Sequence, residues 1–240
     1  MTQTPLRQAL IVAHGQPSDP EPPERHLAAL AERVAAALPG WRIRSATIAA
    51  AGRLEAEVAE MPDNGLIYPM FMSDGWFVSR VLPDRLGETP LTTLPPLGFD
   101  DALPELAARL IKEKLVALGW RAAQSNLLLA AHGSGRGTRA AKAARSFADR
   151  LSPLLSGMSI TLGFIEEPPF VNDAATGLGS QTLCLPFFAL EGDHCREDIP
   201  QALEKANFSG ELLQPLGETD EIPNLIANAL SRACGRANIA

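Results

Sequence analysis

The chain repeats itself at an interval of about half its length, and this repeat limits the available folds more than any other feature. A short apolar run ends in His14-Gly15, and a second run of the same form ends in His132-Gly133. Further landmarks match in the same order, with residues 68–72, 75, 82–83 and 96–98 corresponding to residues 185–189, 192, 199–200 and 215–217. The repeat predicts an internal duplication that forms two similar lobes.

Each half alternates short apolar runs with amphipathic segments. The apolar runs predict buried strands at residues 9–13, 65–68, 127–131, 160–165 and 181–185. The amphipathic segments predict helices at residues 24–38, 103–118, 138–151 and 222–233. Such alternation is typical of an α/β fold in which helices flank a parallel sheet. We expect an N-terminal lobe of residues 1–120 and a C-terminal lobe of residues 121–240.

Composition narrows the functional class. The 240 residues carry a formal net charge of -7, which argues against a nucleic-acid partner, since such proteins need a concentrated basic face. The three cysteines have no CxxC spacing, so neither a zinc knuckle nor a redox motif is indicated. Their small, odd number suggests a reducing compartment. No apolar run approaches the roughly 20 residues of a membrane span, and the first residues are polar. We therefore expect a cytoplasmic protein with no membrane partner.

Polar residues follow the second His-Gly step directly. Ser134, Gly135, Arg136 and Arg139 lie between the predicted strand and the next helix, where backbone N–H groups and the helix dipole favour an anion. In open parallel sheets, ligands bind beyond the carboxyl ends of the strands. The segment therefore predicts a site for an acidic ligand, although a tight glycine turn without a ligand would look the same.

Two more strand ends in the second half carry candidate chemistry. Glu166 is the first polar side chain after the strand at residues 160–165, and His194 lies in the charged loop that follows residues 181–185. With His132 they offer two imidazoles and a carboxylate, which suit cobalt, iron, nickel or zinc and could also accept protons. The alternatives are a solvated charged loop and a strand-end carboxylate facing solvent.

These segments resemble the class II tetrapyrrole chelatases, the sirohydrochlorin cobaltochelatase and ferrochelatase (CbiX/SirB-like) family, in a duplicated long form. The most specific match is the Gly-x-His-x-Arg-Glu-Asp-Ile-Pro pattern at residues 192–200. The resemblance covers the whole chain and implies two lobes of parallel sheet flanked by helices. It implies that His132, Glu166 and His194 are the metal-binding and catalytic residues.

The resemblance also implies a reaction, the insertion of a divalent metal into sirohydrochlorin or a related tetrapyrrole in cobalamin or sirohaem biosynthesis. The metal, Co²⁺, Fe²⁺ or Ni²⁺, is then a substrate, and no organic cofactor is expected. Charge-assisted hydrogen bonds would hold the acidic macrocycle. The expected substrate-binding residues are Ser134, Gly135, Arg136, Arg139, Arg196 and His14.

The first half departs from the family pattern. When the repeats are aligned, Phe77 lies opposite His194 and Val81 lies opposite Asp198, and residues 46–51 provide no counterpart of Glu166. The first half thus keeps His14 without its partners, and a lone histidine is a poor metal site. We expect the first half to contact the macrocycle while the second half performs the chemistry, as in the anaerobic cobaltochelatase type.

Other functions fit parts of the sequence. A carrier that binds metal or tetrapyrrole without turnover would explain the degenerate first half. A histidine phosphatase would need an arginine directly before the histidine, where this chain has Ala13 and Ala131. Purely structural His-Gly turns would leave the pattern at residues 192–200 unexplained. The sequence permits a monomer or a homodimer, because two duplicated lobes can mimic a dimer.

Overall fold

The strands of this computed structural model, which describes residues 6–237, fall into two sheets. The first sheet contains β1 (Arg7–Ala13), β2 (Trp41–Thr47), β3 (Leu66–Pro69) and β4 (Thr92–Thr93). The second contains β5 (Asn126–Ala131), β6 (Ser159–Phe164), β7 (Thr182–Phe187) and β8 (Glu211–Leu212).

An α-helix follows each of these eight strands. They are α1 (Glu21–Ala37), α2 (Arg53–Ala59), α3 (Leu82–Leu86), α4 (Leu103–Leu118), α5 (Arg139–Leu151), α6 (Val171–Ala175), α7 (Ile199–Lys205) and α8 (Ile222–Ala237). Among residues 6–237, none of the helices combines the length and the apolar character needed to cross a bilayer.

The two sheets have the same topology. Their strand orders are β2-β1-β3-β4 and β6-β5-β7-β8, and neighbouring strands run parallel throughout. The inner strands β1, β3, β5 and β7 are buried along almost their whole length, as expected where helices cover both faces of a sheet. The predicted α/β fold with two similar lobes is confirmed.

Each sheet packs against two short helices through a hydrophobic core. In the first sheet, strand residues pack against α2 and α3 through Leu10, Val12, Ala46, Ile48, Leu54, Ile67 and Leu82. In the second, the corresponding packing against α6 and α7 uses Leu128, Ala130, Val171, Ala175, Cys184, Ile199 and Leu203. The long helices pack in pairs, α1 with α8 and α4 with α5.

The compact units do not follow the order of the repeats in the chain. One unit comprises residues 1–97 and 220–240, and the other comprises residues 98–219. The predicted boundary after residue 120 separates the repeats in sequence, but α4 belongs to the second unit and α8 to the first. The two repeats therefore exchange their final helices. Residues 1–5 and 238–240 of the predicted lobes lie outside the described residues.

A short turn supports the chain where it leaves β7. Residues 216–218 form a 3₁₀ turn, as do the matching residues 97–99. The N–H of Gly217 donates to the carbonyl oxygen of Phe188 at 2.9 Å. A Cβ atom at Gly217 would lie 2.0 Å from the carbonyl oxygen of Ala189, so only glycine permits this approach.

We expect Gly217→Ala to destabilise the fold by about 1–3 kcal/mol, because the added methyl group must displace the backbone at Ala189. Gly179→Ala is the matched control, since nothing lies within 4 Å of its Cβ position. The measurement is the urea midpoint of the two variants and the wild type. Equal midpoints for both variants would contradict this account of the turn.

The helix exchange predicts that neither repeat folds alone. A fragment of residues 1–120 lacks α8, which packs with α1, and a fragment of residues 121–240 lacks α4, which packs with α5. Each fragment would therefore expose apolar surface that is buried in the intact chain. We expect separately expressed fragments to form no folded monomer, and co-expressed fragments to assemble into a stable complex. Cooperative unfolding of either fragment as an isolated monomer would refute the prediction.

Candidate functional site

The ends of three neighbouring strands bring the candidate residues of the second unit to one edge of its sheet. Strand β5 lies between β6 and β7 and pairs with both in parallel, so that Ala131 is in register with Phe164 and with Phe187. The segments that follow these three residues carry His132, Glu166 and His194. The parallel register therefore gathers residues that are distant in the chain.

The His-Gly step after β5 is a sharp turn held by β6. Gly133 has a φ of +68°, and a Cβ there would lie 2.9 Å from side-chain atoms of Phe164 and Glu167. The carbonyl oxygen of His132 accepts the N–H of Glu166 at 2.9 Å, and the Glu167 carboxylate accepts the N–H of Ser134 at 2.8 Å. Conformation and space both require glycine at this turn, which fixes the direction of the His132 side chain.

The two candidate histidines of the second unit lie against each other. Their ring centroids are 4.7 Å apart, and the rings are nearly perpendicular at 87°. Phe188 lies beside both rings, with centroid distances of 6.4 Å to His132 and 6.1 Å to His194. The structure thus pairs two imidazoles that the sequence separates by about a quarter of the chain.

Hydrogen bonds determine which ring nitrogen of each histidine is available. The Nδ1 atom of His132 lies 2.9 Å from the carbonyl oxygen of Gly133, and that of His194 lies 2.6 Å from Oδ2 of Asp198. A carbonyl and an ionised carboxylate only accept hydrogen bonds, so both Nδ1 atoms donate. The Nε2 atom of each neutral ring therefore carries the lone pair that a metal or a proton needs.

Glu166 follows the neighbouring strand, and its side chain is exposed. Its backbone N–H helps to hold His132, as described above. Within residues 6–237, no three His, Cys, Asp or Glu side chains are placed together so that they could hold a metal ion. Glu166 is therefore not part of a preformed three-ligand group with the two histidines, and its role in proton transfer stays a prediction.

The predicted substrate-binding residues of the second unit surround the same strand ends. Gly135, Arg136 and Arg139 are exposed between the His132 turn and the start of α5, while Ser134 is half-buried. The Ser134 hydroxyl accepts the N–H of Arg136 at 3.2 Å, which gives this loop a defined shape. Arg196 is also exposed and lies 3.5 Å from Asp193 and 4.0 Å from Glu191. These guanidinium groups are exposed to solvent and can therefore bind an acidic ligand.

The first unit has the same ring arrangement without the second imidazole. The His14 ring packs edge-on against Phe77 with a centroid distance of 4.1 Å and an angle of 77°. Its Nδ1 donates to the carbonyl oxygen of Gly15, as His132 does to that of Gly133. Phe77 thus occupies the place of His194, which agrees with the alignment of the repeats. Beside it, Trp76 is 66% exposed and lies edge-on to Phe77.

Two residues with a structural role in the site were not among the sequence-predicted site residues. Asp198 contacts His194 directly. Its sequence signals are its place in the family pattern and its position four residues after a histidine, and neither reveals the contact. Glu167 accepts the backbone N–H of Ser134, and no sequence signal marks it, because Glu166 precedes it as the first polar residue after the strand. Both residues act on the orientation of other groups.

Cys195 follows His194 directly but is suited to packing, because it is only 9% exposed. Burial raises the pKa of its thiol to about 11, and burial raises that of Cys184 to about 12. Cysteine binds a metal as its thiolate, and the thiolate is scarce at neutral pH when the pKa of the thiol is this high.

Comparisons with known proteins agree on the family. The CbiX family model matches residues 126–233. A structure described as CbiX, the terminal enzyme for biosynthesis of siroheme in denitrifying bacteria, is 44% identical with a TM-score of 0.86, and the alignment covers 95% of this chain and 99% of that one. No curated protein sequence matches. The fold and these matches define a class II chelatase. The chain belongs to the CbiX family.

Two more distant structures share the fold. SirB from Bacillus subtilis with Fe³⁺ has a TM-score of 0.73 at 14% identity, over 97% of both chains. DR2241 from Deinococcus radiodurans, a multi-domain protein described as structurally similar to chelatases, has a TM-score of 0.68 at 19% identity. That alignment covers 94% of this chain and 54% of DR2241. Both support the two-sheet architecture.

The thiol environments predict a graded reactivity. We expect the Ellman reagent at neutral pH to modify Cys234 well before Cys184 or Cys195, because burial keeps the last two protonated and inaccessible. Unfolded protein should react at all three positions with similar rates. Rapid modification of Cys195 in the folded protein would contradict the assignment of this residue to packing.

Proposed function

We propose that this protein inserts a divalent metal ion into sirohydrochlorin or a closely related tetrapyrrole. The observation that carries the proposal is the pair His132 and His194, whose Nε2 atoms are left available by the hydrogen bonds at Nδ1. Membership of the CbiX family supports the reaction class. The protein is then a metal chelatase, a lyase in formal classification.

Metal insertion has two chemical requirements. The macrocycle must lose two pyrrole N–H protons, and one M²⁺ must reach the four nitrogens that remain. His132 and His194 present two neutral nitrogen donors, which suit Fe²⁺, Co²⁺ and Ni²⁺. Protonation of either imidazole removes a donor, so acid should inhibit the reaction.

Glu166 is the proposed proton acceptor. It follows the strand adjacent to β5, and an exposed carboxylate can take a proton from the macrocycle and release it to water. In this scheme the metal enters from the histidine side, and the two pyrrole protons leave one after the other through the carboxylate to water. Glu166 could also contribute an oxygen ligand once a metal is present.

The macrocycle is held through its carboxylates. Arg136, Arg139 and Arg196 are exposed guanidinium groups near the histidine pair in the chain, and they can form charge-assisted hydrogen bonds with propionate and acetate side chains. Ser134 and Gly135 would add backbone contacts. In the first unit, His14 lacks an imidazole partner, so we assign it to macrocycle contact.

The choice of metal is the finer part of the proposal. The 44% identical relative is described as an enzyme of siroheme biosynthesis, which favours Fe²⁺ over Co²⁺ in this chain. The ligand types alone accept both, because imidazole binds either ion and selectivity often follows metal supply. We also propose a cytoplasmic location, where the free thiols of the three cysteines would persist. Either a monomer or a homodimer is compatible with the proposal.

The test is an anaerobic assay in which catalytic amounts of the full chain are mixed with sirohydrochlorin and Fe²⁺, Co²⁺ or Ni²⁺ in turn. The absorbance of the macrocycle reports metal insertion. We expect many turnovers by the wild type. His132→Ala and His194→Ala should each lower kcat by more than the about 10–100-fold that is usual for a residue behind a metal ligand, because each removes a nitrogen ligand itself. Glu166→Gln should lower kcat by about 10²–10⁴-fold, the usual contribution of a proton acceptor.

His26→Ala is the control, since His26 lies on the exposed side of α1 in the first unit. It should retain wild-type turnover. Tight one-to-one binding of macrocycle or metal without acceleration would refute the chelatase proposal and leave the carrier function. Full activity of His194→Ala would place the chemistry elsewhere in the chain.

A further inference from the structure

A carboxylate lies directly behind one of the two paired imidazoles. Asp198 is four residues after His194 in a π-helical turn, His194–Asp198, and its Oδ2 is 2.6 Å from Nδ1 of His194. Both side chains reach solvent, with 36% of His194 and 47% of Asp198 exposed. The contact is short for a nitrogen–oxygen hydrogen bond, as is typical when one partner is ionised.

The two imidazoles are therefore held by different acceptors. His132 donates Nδ1–H to the backbone carbonyl of Gly133, whereas His194 donates to the carboxylate of Asp198. Either acceptor fixes the ring in the tautomer whose Nε2 lone pair is free. A carboxylate attracts the Nδ1 proton more strongly than a carbonyl does. It therefore makes the Nε2 atom of the same ring a stronger ligand for a metal.

The internal repeat provides a comparison within the same chain. Phe77–Val81 is the matching π-helical turn of the first unit, and Phe77 packs against His14 much as His194 packs against His132. Val81 stands where Asp198 stands in the second unit. The turn and the edge-on ring packing thus form without a carboxylate. The carboxylate is present in the repeat whose turn carries an imidazole and absent from the repeat whose turn carries a phenyl ring, which has no tautomers.

We propose that Asp198 is a positioning residue that holds His194 in the Nδ1–H tautomer and directs its Nε2 atom to the metal during insertion. The proposal rests on the function proposed above and adds a residue that acts through another. It separates Asp198 from Glu197, which lies one residue earlier in the same turn and is exposed as well. Both residues are acidic, so a purely electrostatic attraction of metal would make them equivalent.

The direct test is the tautomer of His194, measured by long-range ¹H–¹⁵N correlation spectra of the metal-free, ¹⁵N-labelled full chain under conditions where the rings are neutral. The chain has four histidines, and His194→Gln identifies the signal. We expect the Nδ1–H form in the wild type and a mixture in Asp198→Leu, which removes the acceptor at similar size. Asp198→Asn, which keeps an acceptor oxygen, should restore part of the wild-type signal.

The second readout is turnover in the insertion assay. Asp198→Leu should lower kcat by about 10–100-fold, the usual loss when a residue behind a metal-binding histidine is removed, with little change in KM for the macrocycle. Asp198→Asn should recover part of the loss, and Glu197→Gln should match the wild type. Circular dichroism and thermal unfolding would verify that each variant is folded.

The outcomes separate this inference from the proposed function. An unchanged tautomer and unchanged kcat in Asp198→Leu would overturn the role of Asp198, whatever the wild type does. Equal losses in Asp198→Leu and Glu197→Gln would also overturn it, because they would indicate general electrostatics. Absence of insertion by the wild type with every metal would refute the proposed function, and the tautomer spectra would still decide whether Asp198 positions His194.

Discussion

The parallel pairing of β5 with a neighbour on each side is the constraint on which the candidate site depends. The hydrogen bonds of the two ladders align the last residues of β5, β6 and β7 at one edge of the sheet. Side chains that immediately follow these strands emerge at that edge, because the carboxyl ends of parallel strands meet there. The ladder therefore sets the position of His132 and Glu166, and the loop after β7 brings in His194.

Much of this arrangement could be predicted from the sequence, because the repeat and the apolar runs carry strong local signals. Helix α4 has the predicted bounds, and the remaining long helices and inner strands differ from prediction mainly at their ends. The two-residue strands β4 and β8 escaped prediction, since a run that short has no periodicity to read. The helix exchange also escaped it. Helices α4 and α8 are both amphipathic, and nothing in such a pattern specifies which of two similar sheets it will cover.

The residues of the site could be predicted from the sequence better than the contacts between their side chains. The family pattern at residues 192–200 predicted His194 as a site residue, and the structure places its ring against that of His132. The alignment of the repeats correctly placed Phe77 in the corresponding position against His14. The pattern contained Asp198 without revealing that it contacts His194, because side-chain direction in a π-helical turn does not follow from spacing alone. The expected association of Glu166 with the two imidazoles depends on side-chain placement that no strand signal encodes.

The exchange of α4 and α8 has a consequence for how the two repeats can diverge. In the first repeat a phenyl ring stands where the second has an imidazole, and a valine stands where the second has an aspartate, so the first repeat lacks the paired imidazoles. Yet it supplies α4 to the core of the other unit. Residues at the strand ends of the first repeat can therefore change while the repeat itself is retained for its helix. Because the duplicated repeats exchange helices, deletion of the first repeat would also remove a helix from the unit that holds the second repeat's sheet.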